Sequence, residues 1–238
     1  MPQLMVVSML LFFTLSVPVA VSIGLASMLG VAYDGITWLV IAQQIYAALD
    51  KYPLVAVPFF ILAGNLMEAG GISERMVDFA KSVVGGMQGG LACSCVLTCM
   101  IFAAVAGSSV ATTFAVGAIL IPAMVKHGYP KPFAASLQAS AAELGVIIPP
   151  SIPMILFAVS TDTSVGELFI AGIGPGLLIA GALMIYVWLY ARRHGYGKQD
   201  GADRLALWPA FKRAWLALLM PGIILGGIYG GVFTPTEV

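Results

Sequence analysis

Among residues whose types and spacing could do chemistry, the first run is Gly107-Ser108-Ser109-Val110-Ala111-Thr112-Thr113, set in a segment with no Lys or Arg from Ser82 to Val125. The hydroxyls of Ser108, Ser109, Thr112 and Thr113, with main-chain carbonyls, are the hard oxygen donors that a small cation such as Na⁺ takes. A second run, Ala139 to Pro153, places Glu143, Gly145, Pro149, Pro150, Ser151 and Pro153 within another apolar stretch. Each Pro lacks a backbone donor and clashes with the preceding turn, so a regular helix breaks there. Unwound backbone is tolerated at membrane depth only where it is buried or lines a cavity, which makes the carbonyls from Gly145 to Ile148 candidate cation ligands. The helix restarting near Ser151 and the one following Ser109 offer positive dipole ends. Two such ends can hold an anionic group without a buried Lys or Arg, which points to a carboxylate-bearing solute. The same small and hydroxylated residues also suit plain close packing of helices in lipid.

These runs must be positioned by membrane-spanning helices. The chain has 238 residues, of which 60% are hydrophobic and 9% charged, with mean hydropathy +0.99. That composition is that of an all-α polytopic membrane protein. Net charge is zero, so nothing points to nucleic acid. The segment from Ser82 to Val125 is about forty-four residues long, against about twenty for one crossing, so the chain enters the hydrocarbon twice. From Thr113 to Val125 a helix advances about 20 Å, against a core of about 30 Å. Residues 107–113 are therefore predicted to form the tip of a re-entrant hairpin. Arg75 and Lys81 before it, and Lys126 and Lys131 after it, put both flanks on the cytoplasmic side.

The remaining elements follow in order. A first span from Leu4 to Val31, bent near Pro18 and Gly24, reads as retained rather than as a cleaved signal. Residues 35–50 suit a helix at the membrane surface. A second span runs from Pro53 to Glu68, with Asn65 and Glu68 as interfacial polar groups. Ile72 to Val84 is amphipathic, with Ile72, Met76, Phe79, Ala80 and Val83 on one face and Ser73 as N-cap. Gly85 to Gly90 form a hinge or tight turn. After the broken span, Pro132 to Ser160, an outer loop carries Asp162 and Glu167, and Ser164 with Glu167 has the form of a capping box. The chain returns from Leu168 to Leu189 into a basic cytoplasmic loop with Arg192, Arg193, Lys198, Arg204, Lys212 and Arg213. A last span covers Ala214 to Val232, and its Gly226 to Gly231 echo the glycine spacing of residues 85–90. Cys93, Cys95 and Cys99 read as packing residues, and His127 and His194 as surface residues without metal-ligand partners.

Several of these stretches together resemble the large membrane subunit of TRAP transporters. The resemblance is carried by Val105 to Thr113, Ile121-Pro122, Gly128-Tyr129, Phe133-Ala134, Leu144 to Ser151, Pro58 to Gly64, and Phe233-Thr234-Pro235-Thr236-Glu237. It implies a sodium-driven secondary importer of the bacterial inner membrane, working as an elevator, with Na⁺ as coupling ion and no other cofactor. It also implies two partners: a periplasmic substrate-binding protein and a small four-helix membrane subunit. The first cation site of that family carries over to Ser108, Ser109, Thr112, Gly145 and Pro150, with Thr113, Glu143 and Ser151 as substrate-binding or pathway residues.

On that resemblance, residues 1–71 are expected to be scaffold helices, 72–88 an interfacial arm, and 89–160 the re-entrant hairpin and broken helix of the transport domain. Residues 161–213 would be a transmembrane helix with the basic loop, and 214–238 the start of a second repeat. Members of the family are longer, with a second inverted repeat completing the site, so a chain holding the first repeat only is expected not to transport alone. Glu143 departs from the small or hydroxylated residue of many relatives; it reads either as a cation or proton partner or as an acceptor for the unwound backbone. Two rivals are a truncated, non-transporting scaffold and an intramembrane serine enzyme. The latter lacks a His, Lys or Asp base in the segment that holds Ser108 and Ser109.

Overall fold

A computed structural model of the chain describes residues 2–197, 206–232 and 234. Lys198, Arg204, Phe233, Pro235, Thr236, Glu237 and Val238 lie outside the described residues. Every regular element among the described residues is helical. Four helices are long and apolar enough to cross a membrane, or five spans if a bent pair counts as one. The chain is thus a multi-pass membrane protein. It divides into two compact units, Met1–Lys51 and Tyr52–Val238.

In the first unit, α1 (Pro2–Thr14) and α2 (Val19–Tyr33) pack against each other, and α3 is Leu39–Leu49. The expected single span from Leu4 to Val31 is therefore replaced by two short helices. Ser16 takes a left-handed conformation (φ 59°) just ahead of Pro18, so the chain turns rather than bends. α2 buries Ser22, Ala26 and Gly30, spaced four apart, the small-residue stripe that lets helices approach closely.

The second unit opens with a 3-10 turn, Tyr52–Val55, continuing into α4 (Ala56–Ala69), and together these form a candidate span over Tyr52–Ala69. α5 is Ile72–Val84, as the amphipathic pattern predicts. Its buried face differs from the predicted one: Ser73, Met76, Val77, Ala80 and Ser82 are buried, and Val83 is exposed. The N-cap is Gly71 in the left-handed conformation rather than Ser73. Ser73 points inward, where α5 packs on α6 (Gly90–Ala106) and α12 (Leu207–Tyr229).

Gly85 to Gly89 form the tight turn into α6. Gly226 to Tyr229, the start of the glycine echo, are instead helical. α6 and α7 (Ser109–Lys126) make the helical hairpin, and α8 (Lys131–Ala142), the single turn α9 (Leu144–Ile147) and α10 (Ile152–Thr161) make the broken span, bent by 45°. The long α11 (Val165–His194) follows, with Ser164 Oγ accepting from the Glu167 N–H as its cap. α12 starts earlier than expected, so Lys212 and Arg213 lie inside a helix rather than in a loop.

α6 is the centre of this unit. Ala92, Cys95, Val96, Cys99, Phe102, Ala103 and Val105 are all fully buried, and the core continues through Val116, Leu120 and Met124 of α7. Its residues are small or apolar on every side, as a helix surrounded by other helices requires. At one end, Gln88 donates to the Tyr196 carbonyl, and the Tyr129 and Tyr196 rings lie 5.9 Å apart. The turn before α6, the chain just after α7 and the chain just after α11, beside Arg192 and Arg193, therefore meet at one end.

Candidate functional site

The hairpin tip is tighter than the sequence predicts. Gly107 takes the left-handed conformation (φ 60°), Ser108 is extended, and α7 begins at Ser109. α7 then has 18 residues and is itself a candidate span. The prediction of a short outgoing arm starting at Thr113 does not hold, because the run 107–113 is not a seven-residue loop. Residues 109–113 already belong to the helix.

The tip residues consequently cap one another. Ser108 Oγ accepts from the Ala111 N–H, Thr112 Oγ1 donates to the Ser108 carbonyl at 2.8 Å, and Thr113 Oγ1 donates to the Ser109 carbonyl at 2.8 Å. Thr112 is fully buried, whereas Ser108, Ser109 and Thr113 are half-buried. Each threonine hydroxyl spends its proton on the helix and keeps its lone pairs. The N–H groups of Ser109 and Val110, in the first turn of α7, are not taken up by the cap.

The broken span meets this tip directly. A methyl group on Gly145 would stand 2.9 Å from the Ser108 carbonyl carbon and the Ser109 nitrogen, and one on Gly107 would stand 2.7 Å from the Pro150 carbonyl oxygen. The Ile152 N–H donates to the Gly107 carbonyl at 3.1 Å. Five of the predicted residues, Ser108, Ser109, Thr112, Gly145 and Pro150, thus lie at one junction where backbone touches backbone. Only residues without side chains fit at 107 and 145.

The break itself follows from the prolines. Pro149 and Pro150 have no N–H to give the Gly145 and Val146 carbonyls four residues back. Ser151 Oγ, 1% exposed, replaces one of those bonds by donating to the Val146 carbonyl at 2.7 Å. Among the described residues no backbone N–H donates to the Gly145 carbonyl. The α10 helix start is less open than expected, because Ile152 N–H is used by Gly107 and Pro153 has none. Of the two dipole ends, the α7 one is the freer.

Glu143, two residues before Gly145, is exposed. Among the described residues its carboxylate accepts no hydrogen bond from the unwound backbone, although its main-chain carbonyl accepts from the Val146 N–H. Ser151 Oγ holds the break through its bond to the Val146 carbonyl. Among the described residues no cluster of His, Cys, Asp or Glu could hold a metal ion.

Two further features were not read from the sequence. Gln138, 1% exposed, donates from Nε2 to the Thr112 carbonyl at 3.2 Å, and its Oε1 accepts from Cys95 Sγ at 3.0 Å and Cys99 Sγ at 3.7 Å. A lone amide in an apolar run was the available signal. Gly172 and Gly176 of α11 back the break: a methyl on Gly172 would stand 2.5 Å from the Ile147 carbonyl oxygen, and one on Gly176 2.7 Å from Ile148 Cγ1. Their spacing of four in an apolar helix was legible as a close-approach motif. Gly172 lies roughly 10 Å along the axis from the start of α11 at about 1.5 Å per residue, so the break is seated about two turns inside that helix.

Residues 6–238 match the family profile "Tripartite ATP-independent periplasmic transporter, DctM component". The chain is 40% identical to the C4-dicarboxylate TRAP transporter large permease protein DctM of Rhodobacter capsulatus, over 92% of this chain and 53% of that protein. It is 45% identical to the protein of the same description from Vibrio cholerae, over 93% and 49%. To the ectoine TRAP transporter large permease protein TeaC of Halomonas elongata it is 40% identical, over 100% and 56%. The chain spans about half the length of these curated relatives.

Proposed function

From the chain's membership of the DctM component family of tripartite ATP-independent periplasmic transporters, we propose that it is permease machinery of a sodium-driven importer in the bacterial inner membrane. Its cargo is a carboxylate-bearing organic solute handed over by a periplasmic binding protein. A small four-helix membrane subunit braces it. The observation that carries this reading is the junction at which Gly145 lies against Ser108 and Ser109. The hydroxyls of buried Thr112 and half-buried Ser108 and Ser109 gather there beside main-chain carbonyls at a break in a membrane helix, the arrangement by which secondary transporters hold coupling ions.

In this reading Ser108, Ser109, Thr112, Gly145 and Pro150 supply oxygens to Na⁺. The solute's anionic group lies toward the open N–H groups of α7, beside Thr113. Glu143 serves the pathway from its exposed position rather than the ion site. The hairpin enters and leaves on the cytoplasmic side, and residues 89–160 move as a transport domain past scaffold helices. Relatives named for C4-dicarboxylate and for ectoine support an acid cargo as a class. The residues at the junction do not choose among such solutes.

The test is Ser109→Ala in the full-length permease with its partners. Sodium-dependent uptake is expected to fall at least tenfold, as loss of a coordinating or supporting group does at metal sites, with membrane insertion normal. Unchanged uptake and unchanged sodium dependence would sink the site assignment. The serine-enzyme rival predicts instead covalent labelling by a serine-reactive probe that the same substitution abolishes.

A further inference from the structure

Gln138 ties three helices together, its own and two others. It belongs to α8, which leads into the break; its amide donates to the Thr112 carbonyl on α7 at 3.2 Å; and its oxygen accepts from Cys95 and Cys99 on α6 at 3.0 and 3.7 Å. Gly117 on α7 leaves room for it, since a methyl there would press to 3.2 Å from Gln138 Cγ. Thr112 in turn bonds the Ser108 carbonyl, and Ser108 touches Gly145 beyond the end of α8. The contacts close a ring: Gln138, Thr112, Ser108, Gly145, and back along α8 to Gln138.

We propose that Gln138 is the positioning residue that fixes the hairpin tip against the break of the membrane helix, so that both arms of the hairpin and the break move as one body. A packing residue of the same shape would fill the space. It would not set the register of α7 against α8, because apolar contacts are non-directional and a buried amide has one satisfied orientation. The thiols are weak donors, and together they consume the lone pairs of Oε1 and so turn Nε2 toward Thr112. This inference rests on the reading of the tip and break as the ion site only for its functional consequence.

The experiment places spin labels on two exposed residues, Val110→Cys at the tip and Leu156→Cys beyond the break, in the full-length permease in lipid nanodiscs, with the buried native thiols kept. Distances are recorded for the parent, Gln138→Leu and Gln138→Met. Gln138→Met keeps the unbranched shape and volume of the side chain and removes both the donor to Thr112 and the acceptor for the thiols, so it decides the matter if Gln138→Leu fails to assemble. The expected result is a narrow distance distribution in the parent and a broadened, shifted one in the variants. Half-saturating sodium for ²²Na⁺ binding is expected to rise about tenfold or more with the number of sites unchanged. Distributions as narrow as the parent's in folded variants would overturn the inference. A parent that binds no sodium would overturn the sodium reading alone, and the distances would still decide this one.

Discussion

At the residue scale the site depends on what is missing from two side chains. Gly107 and Gly145 let the main chains of the tip and the break touch, and the nearest groups to an added methyl are backbone atoms that cannot swing away. Gly145→Ala is therefore expected to push Ser108 and Ser109 off the break, costing about 1–3 kcal/mol as an overpacking change. Half-saturating sodium should rise at least tenfold while helix content by circular dichroism stays as in the parent; equal sodium affinity would place the ion elsewhere. The runs 107–113 and 145–153 were legible because glycine, proline and hydroxyl residues are conspicuous in an apolar chain. What the hydroxyls of Thr112 and Thr113 do was not, since the sequence does not say that the helix already begins at Ser109 and claims their protons. Gln138 escaped notice for a related reason: one amide has no periodicity, and its value lies in partners 26 to 43 residues away.

At the scale of elements, hydropathy and helix signals located α4, α5, α10 and α11 closely, and the Ser164 cap at the start of α11 stands as its sequence suggests. They failed where one apolar run holds two helices. Residues 2–33 carry no charge that would mark a turn, so the pairing of α1 with α2 depends on Ser16 and Pro18 alone. The face of α5 was misjudged because burial beneath α6 and α12 takes in Ser73 and Ser82, which a hydrophobic pattern assigns to water. The seat of the break on α11 gives a sharp contrast between two glycines of one helix. Gly172→Ala meets Met154 and the Ile147 carbonyl, whereas Gly181→Ala meets open space. The first should lower stability by about 1–3 kcal/mol and the second should be neutral or raise it by up to about 1 kcal/mol. Thermal unfolding in detergent checks both, and equal shifts would mean that α11 does not press on the break.

At the scale of the molecule, the turn before α6, the chain after α7 and the end of α11 meet at one end, whereas α10 and α11 join through Thr163 and Ser164. The positive-inside rule puts Arg192 and Arg193 in the cytoplasm. A membrane-impermeant maleimide applied to intact cells should then label Thr163→Cys and leave Lys126→Cys unlabelled until the membrane is opened. Labelling of both from outside would contradict a hairpin that returns to its starting side. Polarity and basic residues made this layout legible in the sequence, but the seating of the tip on the break, and of the break on α11, needed Gly107, Pro150 and Gly172 in three dimensions. The central claim is coupling to sodium, and its most direct test is solute uptake by the full-length permease with its partners in proteoliposomes, under an inward sodium gradient and without ATP. The account predicts uptake that stops when potassium replaces sodium and resumes when the gradient is restored. Uptake that proceeds equally in potassium, or only with ATP inside, would contradict it.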